Sequence, residues 1–387
     1  MSDARAIAEE TARASYGRLI AYLSSRTRNI AEAEDALAEA FAAALAHWPR
    51  TGVPSSPEAW LLTAARRKII DQSRRAETRR AHESEIILVI EEAQTATNDE
   101  TFADERLKLL FICAHPAIDI AVRTPLMLQT VLGLDAARIA SAFLVSPATM
   151  SQRLVRAKNK IAGARIPFEA PDETQLRSRA AAVLDAIYAA FGAGYDGDGA
   201  QPEGASLARE AMFLARLVAA LLPDDAEAHG LQALFCYIEA RRNTRRRDGV
   251  YVPLDEQDIS LWDQALIDEA DNALERAARL KSPGRYQLEA AIQSAHISAH
   301  LSGEDTRSAV VRLYERLIAF APSIGAEIGR AAALIKCGRA KEALAALDAI
   351  DPARVETHQP YWATRAHALA AVPGRLDGPG PVHKNHQ

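Results

Sequence analysis

The sequence predicts an all-α protein, and three features carry that prediction. Apolar residues recur at spacings of three and four along most of the chain. Helix-ending prolines and glycines punctuate those runs. Strand-type alternation is nearly absent, residues 249–253 being the only candidate. A chain of 387 residues is long for one core, so two or three domains are expected.

The elements follow in order. An amphipathic stretch covers residues 4–25, and a second covers 30–48, where Ala33, Leu37, Ala40, Phe41, Ala44, Leu45 and Trp48 mark one face. Pro49 and Gly52 mark its end. After VPSSP a helix starts near Glu58, with Ser56 as cap and Pro57 in the first turn, burying Leu61, Leu62, Ala65 and Ile69. Residues 83–105 hold eight acids and no Lys or Arg, which reads as a linker, with a short helix at 86–89. Compact helices are expected over 104–163, a joint at Pro167 and Pro171, and a glycine-rich loop over 192–204. From residue 304 the pattern becomes helix, turn, helix at 305–320, 324–337, 340–350 and 361–371, the form of repeat-protein hairpins. The tail from 373 to 387 reads as disordered.

Bulk properties narrow the function class. The charged fraction is 25% and the net charge is -5, which describe an ordinary soluble protein. No leader pattern opens the chain, and no run reaches the ~20 apolar residues of a membrane span, so a cytoplasmic location without membrane contact is expected. Cys113, Cys236 and Cys337 are widely separated and form no metal-ligand spacing or complete disulfide framework. His296 and His300 lie four apart near Asp305, but no acid stands between them to act as a zinc-enzyme base. Nucleotide loops, nucleophile elbows and hydride-cofactor fingerprints are missing, so neither a cofactor nor an enzymatic activity is expected.

Two basic islands point to nucleic acid. Residues 60–80 hold seven basic residues against two acids, among them Arg66, Arg67, Lys68, Arg74 and Arg75. Such a helix suits phosphate contact, although a solvated face has the same composition. The second island is more specific. Residues 135–143 form a short helix with Ile139, Ala140 and Phe143 inward; a tight turn follows, and Ser146 caps a helix beginning at Pro147. Met150, Leu154, Ala157 and Ile161 fall on one side of that helix. Thr149, Gln152, Arg156 and Asn159 fall on the other, flanked by Arg153 and Lys160. Ser151 lies beside them. Residues 146–165 carry five basic residues and no acid. This is the layout of a helix-turn-helix whose second helix offers hydrogen-bonding side chains to base edges.

Three segments, AEAEDALAEAFAAALAHW (31–48), PEAWLLTAARRKIIDQSRR (57–75) and LDAARIASAFLVSPATMSQRLVRAKNKI (134–161), resemble bacterial RNA polymerase sigma factors of the extracytoplasmic-function group. DEQDISLWDQALIDEADNALERAARLKSPGRYQLEAAIQSAH (255–296) and the hairpins after it are similar to a branch with a long tetratricopeptide-like extension. The resemblance implies a polymerase- and −10-binding domain over 1–80, an acidic linker over 81–103 and a −35-reading domain over 104–165. An extension domain over 172–303 and hairpins over 304–372 complete it. Asp35, Leu37, Glu39 and Phe41 correspond to the helix that engages core RNA polymerase. Trp60 and the helix carrying Arg66, Arg67, Lys68, Arg74 and Arg75 correspond to the region that holds the −10 non-template strand; Trp60 itself reads as a core aromatic. Ser146, Thr149, Ser151, Gln152, Arg153, Arg156 and Lys160 correspond to the reader of the −35 duplex. One departure is FGAGY at 191–195, where the branch carries an Asn-Glu pair before Gly-Tyr.

Helical hairpins form concave faces suited to protein segments, so a protein partner is expected for the extension. Arg241, Arg242, Arg245, Arg246 and Arg247 make a third basic run, suited to DNA, to polymerase or to a solvated helix end. The reading that competes with an initiation factor is a helix-turn-helix regulator acting alone on duplex DNA. A helical-repeat scaffold is the third.

Overall fold

The computed structural model describes residues 2–76, 99–169, 171–195, 202–247, 249–356 and 358–372. The chain divides into two compact units, Met1–Leu222 and Pro223–Gln387. Among the described residues nearly all regular structure is helical, as the spacing predicts. None of these helices is long and apolar enough to cross a membrane.

The first unit opens with three packed helices, α1 (Ser2–Thr27), α2 (Ile30–Thr51) and α3 (Pro57–Ala76). Asn29 starts α2 by accepting from the Ala31 and Glu32 amides at 3.1 and 3.4 Å. Gly52 ends it at φ +86°, donating its amide to the Trp48 carbonyl at 3.0 Å. The core seam joins Leu19, Ile20 and Leu23 of α1 to Ala33, Leu37 and Ala44 of α2 and Leu61 and Leu62 of α3, all at 0–1% exposure. Each buried leucine contributes ~1.5–3 kcal/mol relative to an exposed one. Arg18 of α1 donates to Glu58 of α3 at 2.6 Å, fixing the start of α3.

Helices α4 (Asp99–Cys113), α5 (Ile120–Thr130), α6 (Ala136–Ala142) and α7 (Pro147–Gly163) follow. They pack against the first three rather than standing apart. A Cβ on Gly17 of α1 would lie 1.8 Å from the Val131 carbonyl oxygen just after α5, so only glycine permits this approach. Helices α8 (Glu173–Tyr195) and α9 (Pro202–Leu221) complete the unit. Arg179 of α8 donates to the Phe111 carbonyl of α4 at 3.1 Å, and buried Arg106 of α4 pairs with Glu210 of α9. The unit boundary at Leu222 therefore runs through the segment that the sequence groups as one extension domain.

Gly192 and Gly194, expected in a loop, lie inside α8. Phe191 is buried and stacks on Tyr195 at 5.3 Å, and that packing carries the helix past two poor helix formers. The helix expected at 86–89, most of the acidic linker and the tail from 373 lie outside the described residues.

In the second unit, α10 (Ala226–Ala240), α11 (Gln264–Arg279) and α12 (Arg285–Ser302) pack around Leu231, Leu234, Ile267, Ala277 and Ile292. Glu227 of α10 caps α12, accepting from the Tyr286 and Gln287 amides at 2.9 and 3.0 Å. Between α10 and α11 stands a small antiparallel hairpin, β1 (Arg246–Arg247) and β2 (Val250–Tyr251), where the sequence offers its strand candidate. Helices α13 (Arg307–Phe320), α14 (Ile324–Lys336), α15 (Ala340–Asp348) and α16 (Gln359–Ala371) repeat the helix-turn-helix pattern, within three residues of the expected bounds. Val311, Ala331, Leu334, Ala343, Leu347 and Tyr361 join in their shared core.

Candidate nucleic-acid interface

Helix α7, expected to read DNA, is built from local signals. Asp135 caps α6 by accepting from the Ala137 and Arg138 amides, both at 2.9 Å. The turn passes through Leu144, which is 93% exposed at φ +53°. Ser146 then caps α7, accepting from the Thr149 amide at 3.2 Å, and its hydroxyl lies 2.8 Å from that of Thr149. Met150, Leu154, Ala157 and Ile161 are buried. Ser146, Thr149, Ser151, Gln152, Arg153, Arg156, Asn159 and Lys160 are all exposed, so the expected reading face is presented to solvent. Phe143, expected inward, is 37% exposed; Ile139 and Ala140 alone fill the short helix's buried side.

Lys158 does not belong to that face. It is buried, and its ammonium donates to the Glu34 carboxylate of α2 at 2.5 Å. Burial raises the Glu34 carboxyl above its ordinary range, against the pull of Lys158, which lowers it. Tyr16 and Cys113 lie in the same electrostatic neighbourhood. Burial first, and Glu34 second, push the Tyr16 phenol up; burial pushes the Cys113 thiol up to about 12, with the Cys113 sulfur 3.5 Å from the Thr130 hydroxyl. This ion pair joins the helix expected to meet polymerase to the helix expected to meet DNA.

The other basic island divides. Arg67 is exposed. Arg66 is half-buried with its guanidinium 4.8 Å from the Tyr22 ring centroid, a cation–π contact that fixes it against α1. Lys68 pairs with Glu39, so two residues expected to meet different partners meet each other. The side chains of Arg74 and Arg75 lie outside the described residues. Trp60 packs edge-on against buried Trp48 at 5.6 Å but is itself half-buried, at the edge of the core rather than inside it as expected.

On α2, Asp35 and Glu39 are exposed and Phe41 is half-buried. Leu37 is fully buried in the three-helix core and presents nothing to a partner, which corrects its place among the polymerase-facing residues. Its spacing with Ala33, Ala40 and Ala44 assigns it to the seam. Leu45, which the sequence places in the buried stripe, is 48% exposed and joins Phe41, Pro49 and Arg5 around a cavity of about 460 Å³. It lies four residues beyond Phe41, so the two form one apolar ridge.

Among the described residues no three His, Cys, Asp or Glu side chains converge as a metal site. His296 is held neutral, its pKa pushed down to about 4 by burial and then by Lys336, and His300 bonds back to the His296 carbonyl at 2.8 Å.

The capped pair α6–α7, with its polar and cationic face outward, has the layout expected of a helix-turn-helix. Comparison with known proteins narrows the class. Residues 12–79 match the family Sigma-70 region 2, and residues 179–278 match a family of unknown function, DUF6596. An uncharacterized protein of Rhizobium meliloti is 37% identical over 339 residues, which span 86% of this chain and 79% of that protein. No solved structure matches. The chain belongs to the sigma-70 family, in a branch with a DUF6596 segment after region 2. Members of that family are transcription initiation factors rather than enzymes.

Proposed function

We propose that this protein binds core RNA polymerase and directs it to promoters by reading two DNA elements. The exposed Asp35, Glu39 and Leu45 of α2, with half-buried Phe41, dock on the polymerase. Arg67, with Arg74 and Arg75 of the same helix, tracks the phosphates of the opened −10 strand, and Arg66 and Lys68 join them only on leaving Tyr22 and Glu39. The face of α7 formed by Thr149, Ser151, Gln152 and Arg156 reads the −35 duplex in the major groove. The observation that carries this reading is the capped α6–α7 pair with its polar face outward, in a chain whose residues 12–79 match Sigma-70 region 2.

The extension supplies a protein-binding surface of tetratricopeptide-like hairpins, α13–α16. A regulator acting alone would show tight specific binding to paired half-sites without polymerase. The test is to add the purified chain to sigma-free core polymerase with genomic DNA and map transcript starts. Transcription from a defined promoter set supports the proposal; silence on every promoter, from folded full-length protein, overturns it.

A further inference from the structure

Beside the reading face of α7 lies a cavity of about 480 Å³, within the size range of small-molecule sites. Its floor is apolar, formed by Ala117, Ile118, Ala121 and Val122 around the start of α5, with Ala157 of α7. Arg153, Arg156 and Lys160 stand along the α7 side of the same cavity. Their spacings of three and four place three cations on one helix edge. No carboxylate of a described residue pairs with any of the three. Asp119 is the acid in the lining, and its carboxylate already accepts the Ala121 amide at 3.0 Å. The site is therefore net positive above an apolar base, next to the positive end of the α5 dipole.

The wall is preformed. Arg123 donates to the Ile118 and Pro116 carbonyls at 3.0 and 3.2 Å, and the Ala117 amide donates to His115 Nδ1 at 3.1 Å. A DNA phosphate would meet the cations but leave the floor uncovered. A ligand with an anionic head and an apolar body satisfies both.

We propose that this cavity binds a small amphipathic anion, a phosphate or carboxylate on an apolar body. Bound there, it occupies Arg153, Arg156 and Lys160 and lowers the affinity of α7 for DNA. This second step rests on the DNA-reading role of α7; the binding step does not.

The probe is phenyl phosphate, with inorganic phosphate as its comparison, titrated calorimetrically into the full-length protein. Phenyl phosphate is expected to bind at least about 10-fold more tightly, because its ring covers the floor. R153A/K160A removes the cations, and A121F fills the floor while leaving them in place; each is expected to weaken phenyl phosphate binding at least 10-fold. Equal affinity for the two phosphates overturns the proposal, as does unchanged binding by R153A/K160A. A third refuting outcome is loss of DNA affinity in R153A/K160A when neither phosphate binds wild type, which makes the edge a backbone clamp only. In the DNA arm, phenyl phosphate should release a labelled duplex from wild type but not from A121F. If the calorimetry holds while core polymerase stays silent, the initiation reading fails and the ligand site stands.

Discussion

Replacing Lys158 by Met tests whether the Glu34–Lys158 pair ties α7 to α2. The two side chains are 9% and 18% exposed and 2.5 Å apart. Methionine matches the length of the lysine stem but leaves Glu34 without its counter-ion. Breaking a buried pair in this way costs ~3–5 kcal/mol, and the lower end is expected because the Glu34 carboxyl can take up a proton. Opening of α7 would then be favoured by about 3 kcal/mol, so its amides should exchange about 100-fold faster. Hydrogen–deuterium exchange of residues 147–163 reads this directly. The double variant E34Q/K158M, with neither charge left to desolvate, should return to within ~1 kcal/mol of wild type. The sign with pH is fixed by Glu34. Its folded pKa lies above the ordinary carboxyl value, so the charged form subtracts stability above that range and protonation restores it. The deficit of K158M should therefore shrink as pH falls from neutrality toward the folded pKa of Glu34. A deficit that grows on acidification, or a double variant as unstable as the two single losses added, would refute the reasoning.

Four other outcomes are expected. Gln152→Ala should cost ~1–3 kcal/mol of discrimination at one −35 base pair, read by competition between duplexes; an equal loss on all sequences would make Gln152 a backbone contact. Ser146→Ala should lower the stability of the first unit by ~1 kcal/mol in urea unfolding through loss of the α7 cap. Gly17→Ala, whose Cβ meets the Val131 carbonyl oxygen, should cost at the upper end of ~1–3 kcal/mol, and an unaltered melting temperature would show that α1 yields freely. Cys113, buried with its thiol at about 12, should resist alkylation at neutral pH in native protein, while half-buried Cys337 reacts; mass spectrometry of the modified peptides decides.

What the sequence disclosed was governed by range along the chain. Asp135 and Ser146 sit next to the amides they cap, so both ends of the helix-turn-helix were readable from a few residues. The hairpins after residue 304 were readable for the same reason. Lys158 and Glu34 are 124 positions apart, and nothing local names Glu34 as the partner of Lys158. Helical spacing places Lys158 next to Leu154 and Ala157, at the edge of the buried side, but only tertiary packing closes over it. Leu37 and Leu45 show the converse. Both fit one apolar stripe, yet a three-helix core has room for the seam nearest α1 and α3 and leaves Leu45 outside. The pairing of Lys68 with Glu39 was likewise invisible, because each residue type suited a separate partner.

The close approach of α1 to the residues after α5 sets a length problem. A folded unit of 222 residues has an expected radius of gyration of ~17 Å. Promoter elements named −10 and −35 stand about 25 base pairs apart, or ~85 Å along B-DNA. A body of that size cannot touch both ends of such a ruler while Lys158 holds Glu34. On the proposed reading, engaging both elements at once means separating α1–α3 from α4–α7, and the Glu34–Lys158 pair is the contact that would have to break.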